Sequence, residues 1–342
     1  MKGNSRKHLR TLTLWVATTT LMSASPVLAA SQLFDTWTGY PTGYYGSGRF
    51  PYAARAADLD GDLAPEVLVA QWPWNAGISI TWNEGDGAFG PALHLSSALP
   101  SLDVAAGDFD QNGMPDVVVS NTGVNWEGNS VTLYRNLGGR TFASPLVFSV
   151  GAAANLGPVG LAVDDFNNDE NPDLAVARYG YLGQGNTVAL LLGDGSGNLG
   201  PPAVYPAGDG PYKLAAGRLN EDDLPDLAVA NEDQKLTILI NNGFGGFMPP
   251  VTYDVLQQYG GDIYPTVALA DVDNDQDLDV LYSSTRTLAG SETGAIALFR
   301  NQGDGSLTGP EVIPLAQYTA GPVDLATGDF DGNGWTDVVG AH

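Results

Sequence analysis

The chain has 342 residues, with 39 acidic against 14 basic side chains, a formal net charge of −25 at pH 7, and no cysteine. That balance disfavours nucleic acid and anionic membrane surfaces as partners. The lack of cysteine excludes a disulfide framework, so rigidity must come from packing, from closure of the fold or from bound metal.

At the N-terminus, Lys2, Arg6, Lys7 and Arg10 precede an apolar stretch from Leu12 to Leu28 that ends in Val27-Leu28-Ala29. This is the pattern of an export signal with a signal-peptidase site. Residues 1–29 are therefore expected to be removed, leaving a secreted or periplasmic chain beginning near Ala30. Thr18, Thr19, Thr20, Ser23 and Ser25 interrupt the apolar run, which disfavours a retained anchor. No later stretch is apolar enough to insert in a membrane. Trp37, Tyr40, Tyr44, Tyr45, Phe50 and Tyr52 then form an aromatic cluster, expected to pack where the fold closes.

A repeated unit follows, beginning near residues 51, 100, 158, 211, 265 and 322. Each unit opens with Pro, runs through a short alternating segment, and enters an acidic loop on the frame D-x-D-x-D-x-x-x-D. The loops start at Asp58, Asp108, Asp165, Arg218, Asp271 and Asp329. A wholly apolar strand comes next, such as Val117-Val118-Val119 or Leu227-Ala228-Val229, and suits a strand covered on both faces. A third strand such as Val131-Thr132-Leu133-Tyr134 runs into an Asn/Gly turn and an aromatic residue or Leu, as from Asn136 to Phe142. Four short strands per unit predict an all-β fold, a β-propeller of four-stranded antiparallel blades with six repeat units, the last incomplete. Solenoid repeats are usually shorter.

Carboxylates at loop positions 1, 3, 5 and 9, with a carbonyl at 7, can surround a hard cation with oxygen. The expected ligands are Asp58, Asp60, Asp62 and Glu66; Asp108, Asp110, Asn112 and Asp116; Asp165, Asn167, Asp169 and Asp173. Asp271, Asp273, Asp275 and Asp279, then Asp329, Asp331, Asn333 and Asp337, complete five predicted Ca²⁺ sites. In the fourth loop Arg218 replaces the first carboxylate, so this loop is expected to be metal-free. Its guanidinium is expected to bridge Asn220, Asp222 and Asp226 from the cation's place. For any single loop the plainer reading is a polar turn closed by side-chain hydrogen bonds; repetition at one place in each unit favours metal.

Asp108-Phe109-Asp110-Gln111-Asn112-Gly113-Met114-Pro115-Asp116-Val117 resembles the FG-GAP/VCBS repeat of integrin-α-like propellers, as does the segment from Asp329 to Val338. The resemblance covers nearly all of the chain after the leader. It implies a propeller, often seven-bladed, whose loops bind calcium. The last unit stops at His342, after one strand beyond its loop. Two explanations stay open: a C-terminally incomplete sequence, or a six-bladed ring whose thin last blade is completed by the segment from Phe34 to Tyr40.

In an antiparallel blade the acidic loops and the Gly hairpins share one face of the disc. The opposite face then carries Trp72, Trp74, Trp126, Tyr179, Tyr181, Tyr259, Tyr264 and Arg286, residue types that suit a surface for carbohydrate or protein. The competing reading is that they cover blade edges. Beyond the leader only His94 and His342 are present, and neither lies near a nucleophile. Gly193-Asp194-Gly195-Ser196-Gly197 lacks the lysine and helix of a phosphate loop and reads as a hairpin turn. The expectation is a secreted, monomeric, calcium-stabilised propeller serving as a binding or adhesion module. An extracellular carbohydrate-active enzyme, lyase or hydrolase, is the alternative. A structural repeat segment of a larger exported protein is the second.

Overall fold

The computed structural model describes residues 49–341, apart from 74–75, 86–87, 153–154, 256–263, 288–293 and 316–321, together with three short strands nearer the N-terminus. Five four-stranded antiparallel sheets follow one another, each made of consecutive strands. The second is typical, with Val104–Gly107, Asp116–Asn121, Ser130–Tyr134 and Leu146–Ser149. The sixth unit contributes Asp324–Gly328 and Asp337–Ala341. The architecture is the expected all-β propeller, and each sheet is one blade.

First strands line the axis, since Pro158–Asp164 faces Pro211–Gly217, which faces Thr266–Ala270, which faces Asp324–Gly328. Second strands are sandwiched. Asp116–Asn121 and Asp226–Asn231 are buried at every position, which is why they are apolar without alternation. Fourth strands form the rim, and Val251–Asp254 is largely exposed. The core is a series of joints between neighbours. Leu68, Ile80 and Trp82 of blade 1 pack on Val117, Val119 and Tyr134 of blade 2, and Phe109, Val118 and Leu133 meet Leu161, Leu174 and Val176 of blade 3. Each fully buried side chain of this size contributes about 1.5–3 kcal/mol.

A polar latch accompanies each of the first four apolar joints. There the residue at loop position 2 is buried, and its carbonyl accepts a hydrogen bond from the hairpin of the next blade. Asn136 Nδ2 donates to Leu59 O at 2.7 Å, Asn241 Nδ2 to Phe166 O at 2.8 Å, and Asn301 Nδ2 to Leu219 O at 2.8 Å. Blade 3 has Gly193 at the Asn position, where a Cβ would collide with the Pro172 carbonyl. Its latch is made instead by the Gly197 N–H, which donates to Phe109 O at 2.8 Å.

All six blades meet in one axial network. Asp103 of blade 2 is buried and lies 3.3 Å from Arg55 of blade 1 and 3.1 Å from Lys213 of blade 4. The same carboxylate accepts the Leu161 N–H of blade 3 at 3.2 Å. Arg55 also reaches Asp324 of blade 6 at 3.0 Å, and Asp324 accepts from Thr266 of blade 5 at 3.3 Å. Just beyond, the ladder slips between Pro51 and Ala53 and between Pro211 and Lys213. Such irregularities re-aim the side chain they contain. The hydroxyls of Tyr52 and Tyr212, one in each slip, hydrogen-bond to each other across the axis.

The segment expected to complete the last blade does something else. Trp37–Pro41 pairs antiparallel with Thr20–Ala24, whereas Thr11–Leu14 lies parallel to Asp337–Ala341 as the third strand of the last sheet.

Candidate metal centres and ligand face

Five of the six acidic loops share one backbone. Positions 4 and 6 are left-handed in each: Gly61 and Leu63, Gln111 and Gly113, Asn168 and Glu170, Asn274 and Gln276, Gly332 and Gly334. Non-glycine residues adopt this conformation only where surroundings enforce it. Here the position-1 carboxylate does so by accepting the N–H groups that the turn brings inward. Asp108 takes those of Asn112 at 3.0 Å and Gly113 at 2.8 Å, and Asp329 those of Asn333 at 3.0 Å and Gly334 at 2.8 Å. The position-5 side chain closes a smaller turn, as Asp62 does on Ala64 N at 2.8 Å.

In the fourth loop Arg218 cannot accept these N–H groups, and only Asp223 is left-handed. The guanidinium was expected at the cation's place, bridging Asn220, Asp222 and Asp226. It instead turns outward to Asp223 at 2.9 Å, where both side chains are well exposed. Water solvates a guanidinium there more fully than a tight loop does.

The position-9 carboxylate carries a role the sequence pattern did not reveal. It is buried in every loop, and in the first five blades it bonds both to its own loop and to the hairpin of its blade, whereas Asp337 accepts only from its own loop, at Phe330 N. Asp116 accepts Phe109 N at 3.0 Å and Asn136 N at 2.7 Å; Asp226 accepts Leu219 N at 2.9 Å and Asn241 N at 2.7 Å. Burial pushes these groups up, Asp116, Asp226 and Asp279 to about 6 and Asp173 to about 7, against the lowering effect of the N–H donors. Glu66 is raised for the same reason. A cation beside them would favour the ionised form.

Among the described residues, four groups bring three carboxylates within 4.8 Å of one another. They are Asp58, Asp60 and Asp62; Asp108, Asp110 and Asp116; Asp271, Asp273 and Asp275; Asp329, Asp331 and Asp337. The donors are all oxygen, as Ca²⁺ requires. Oδ1 of Asp60 and Oδ1 of Asp110 are buried without a hydrogen-bond partner, the state expected of an oxygen reserved for a cation. The residues present therefore fit calcium. In the third loop Asp165, Asp169 and Asp173 form no such group; there the Asn167 amide donates to Asp169 Oδ2 at 2.9 Å and closes the loop on itself.

On the opposite face the second strands end and the first strands begin, which gathers aromatic rings around the axis. Trp72 and Trp126 lie 6.2 Å apart between centroids, Trp126 and Tyr179 4.5 Å, Tyr179 and Tyr212 5.4 Å, Tyr212 and Tyr264 5.7 Å. Tyr179 and Tyr212 are buried and support the others; Trp72 and Trp126 are half-buried, and Tyr181 and Tyr264 are exposed. Tyr212 and Tyr52, outside the predicted set, complete the cluster. Their signal in the sequence was Pro-Tyr at the start of the first strand, Pro51-Tyr52 and Pro211-Tyr212. Arg286 lies in the strand Asp279–Thr287, while Trp74 and Tyr259 fall outside the described residues.

A blade with an acidic loop between its first two strands defines a class of repeat propeller, and the family model for the FG-GAP-like repeat matches residues 58–119, 165–229, 218–282 and 287–340. The chain belongs to this family. No curated protein matches the sequence. Among solved structures, a protein from Lactobacillus plantarum is similar with a TM-score of 0.57 and 16% identity, over 91% of this chain and 86% of that one. Rhamnogalacturonan lyase YesW is similar with a TM-score of 0.50 and 13% identity, over 94% of this chain and 58% of that one. The Vibrio cholerae biofilm matrix protein Bap1 has a TM-score of 0.47 and 16% identity, over 91% of this chain and 45% of that one. This chain thus spans only part of the latter two proteins.

Proposed function

We propose that the protein is an exported, calcium-stabilised binding module whose aromatic face takes a carbohydrate, with a protein surface as the other ligand class. The observation that supports it most is the run of rings from Trp72 through Trp126 to Tyr264 at the axial mouth, opposite the acidic loops. Half-exposed Trp and Tyr held by buried Tyr neighbours offer a preorganised apolar surface with polar edges, the kind that binds with little loss of side-chain freedom. The acidic loops serve the scaffold, each calcium ion joining a loop whose position-9 acid also grips its hairpin. Export is supported by the basic and apolar leader ending at Ala29.

A glycan array probed with the calcium-loaded protein, alongside Trp72→Ala and Trp126→Ala, tests the reading. Binding that both substitutions abolish, with no change in the polysaccharide, is the expected result. Release of unsaturated, ultraviolet-absorbing sugars would assign a lyase instead. Binding indifferent to both substitutions would move the ligand away from this face.

A further inference from the structure

In the five acidic loops whose blades carry a hairpin, two features vary together; the sixth has Asp331 at position 3 and, among the described residues, no such hairpin. Position 3 is Asp60, Asp110 or Asp273 in loops 1, 2 and 5, but Asn167 or Asn220 in loops 3 and 4. Behind each of those aspartates stands an arginine. Arg300 Nη1 donates to Asp273 Oδ2 at 2.8 Å, and Arg135 Nη1 lies 4.0 Å from Asp110 Oδ2. Both come from the hairpin position that precedes Asn301 or Asn136. Blade 1 has Trp82 at that position, and the next blade supplies the cation. The Arg140 guanidinium lies 4.9 Å from the centre of the Trp82 ring, and its Nε donates to Asp60 Oδ2 at 3.0 Å. In blades 3 and 4 the same hairpin position holds Leu192 or Ile240, packed into apolar clusters. There the position-3 amide turns to its own loop, Asn167 to Asp169 Oδ2 at 2.9 Å and Asn220 to Asp222 Oδ2 at 3.0 Å.

We propose that Arg135, Arg140 and Arg300 are positioning residues that hold the position-3 carboxylates of loops 1, 2 and 5 for a cation, and that loops 3 and 4 close without one. This rests on the calcium reading above. In loops 1 and 2 the arginine faces Oδ2, and Oδ1 is the oxygen that stays buried without a partner. The guanidinium therefore stands behind the ligand and does not take the cation's place. It offsets the repulsion among three clustered carboxylates while the loop is empty. In loops 1 and 5 a charge-assisted hydrogen bond from Arg140 or Arg300 fixes the carboxylate plane, while Arg135 acts on Asp110 through charge alone. Its direct repulsion of a bound dication is the weaker effect, because the three arginine side chains are about one-third exposed and water screens them. Partners of this kind commonly change metal affinity about 10- to 100-fold.

Calorimetric titration of the metal-stripped full chain with calcium tests this, with circular dichroism at saturating calcium as the control for folding. The wild type is expected to bind four ions, at loops 1, 2, 5 and 6. Arg300→Leu weakens one site about tenfold, and Arg300→Lys, which keeps the charge but not the planar fork, recovers part of the loss. Arg218→Leu leaves affinity and stoichiometry unchanged. Asn167→Asp combined with Leu192→Arg adds an ion, and Asn167→Asp alone adds a weaker one. Arginine variants that bind calcium as the wild type does, or more tightly, would overturn the inference. So would loss of an ion on Asp165→Asn. A wild type that binds no calcium would remove the calcium reading itself, and this inference with it.

Discussion

Arg55 Nη1 lies 3.0 Å from Asp324 Oδ2, joining the innermost strand of the first blade to that of the last. The joint is ionic, and it is tied to the rest of the axis because Arg55 also holds Asp103. Burial alone would raise the Asp324 carboxyl, but Lys213 and Arg55 hold it below the usual range.

Arg55→Met is expected to destabilise the protein by about 3 kcal/mol, since it leaves the buried Asp103 with one fewer cation. Urea denaturation measures it, and an effect within about 0.5 kcal/mol would show that the first and last blades are held by other means. The pH dependence has a defined sign. A depressed folded-state carboxyl adds stability above its unfolded value of about 3.9, and that stability is lost as pH falls through the folded value. The Arg55→Met protein should therefore lose less stability than the wild type between pH 4 and 2.

Chelation is expected to lower the melting temperature and added calcium to restore it. At free calcium ten times Kd, each ion adds about 1.4 kcal/mol. Neutralising Asp271 and Asp275 together should remove part of the calcium response, whereas Asp222→Asn should leave it intact. Equal melting curves with calcium and with chelator would contradict the calcium reading.

Asp226 offers a titration in the loop expected to hold no ion. Its folded value of about 6 exceeds the unfolded one, so the folded state binds the extra proton over that interval. Stability attached to this group rises as pH falls from 7 toward 4. The carboxyl carbon resonance should titrate near pH 6, and a midpoint near 4 would refute the assignment. Asp226→Asn cannot accept both the Leu219 and Asn241 N–H groups with its single oxygen, and a loss of about 1–3 kcal/mol is expected.

Asn241→Ala should cost about 1–3 kcal/mol by stranding the buried carbonyl of Phe166. Equilibrium unfolding in denaturant checks this. Asn242→Ala, next in the chain, serves as the half-buried comparison that bonds only within its own turn, and should stay within about 0.5 kcal/mol.

The fold was legible because its signals are local. Apolar second strands, Pro-led first strands and loop carboxylates two residues apart all repeat within a few residues of each other. The acidic loops were legible for the same reason, down to the defect at Arg218, but the third loop, expected to hold an ion, brings no three carboxylates together. The direction of the Arg218 side chain was not, since it depends on whether the loop interior solvates a guanidinium better than water does. The dual grip of the position-9 acids was hidden too. Asp116 meets Asn136 across 20 residues and Asp226 meets Asn241 across 15, pairings set only when the hairpin folds back. The axial network lay furthest out of reach: Arg55 and Asp324 are 269 positions apart, and neither belongs to a motif.

The carbonyl latches run in one direction only. Leu59 waits for Asn136, 77 residues later, Phe166 for Asn241 after 75, and Leu219 for Asn301 after 82. Each of these joints is therefore complete only when the hairpin of the following blade is in place. A ring cut after any of these blades would strand one buried carbonyl at its open side, so the blades are fastened in a row, each clasp supplied by the blade that comes after.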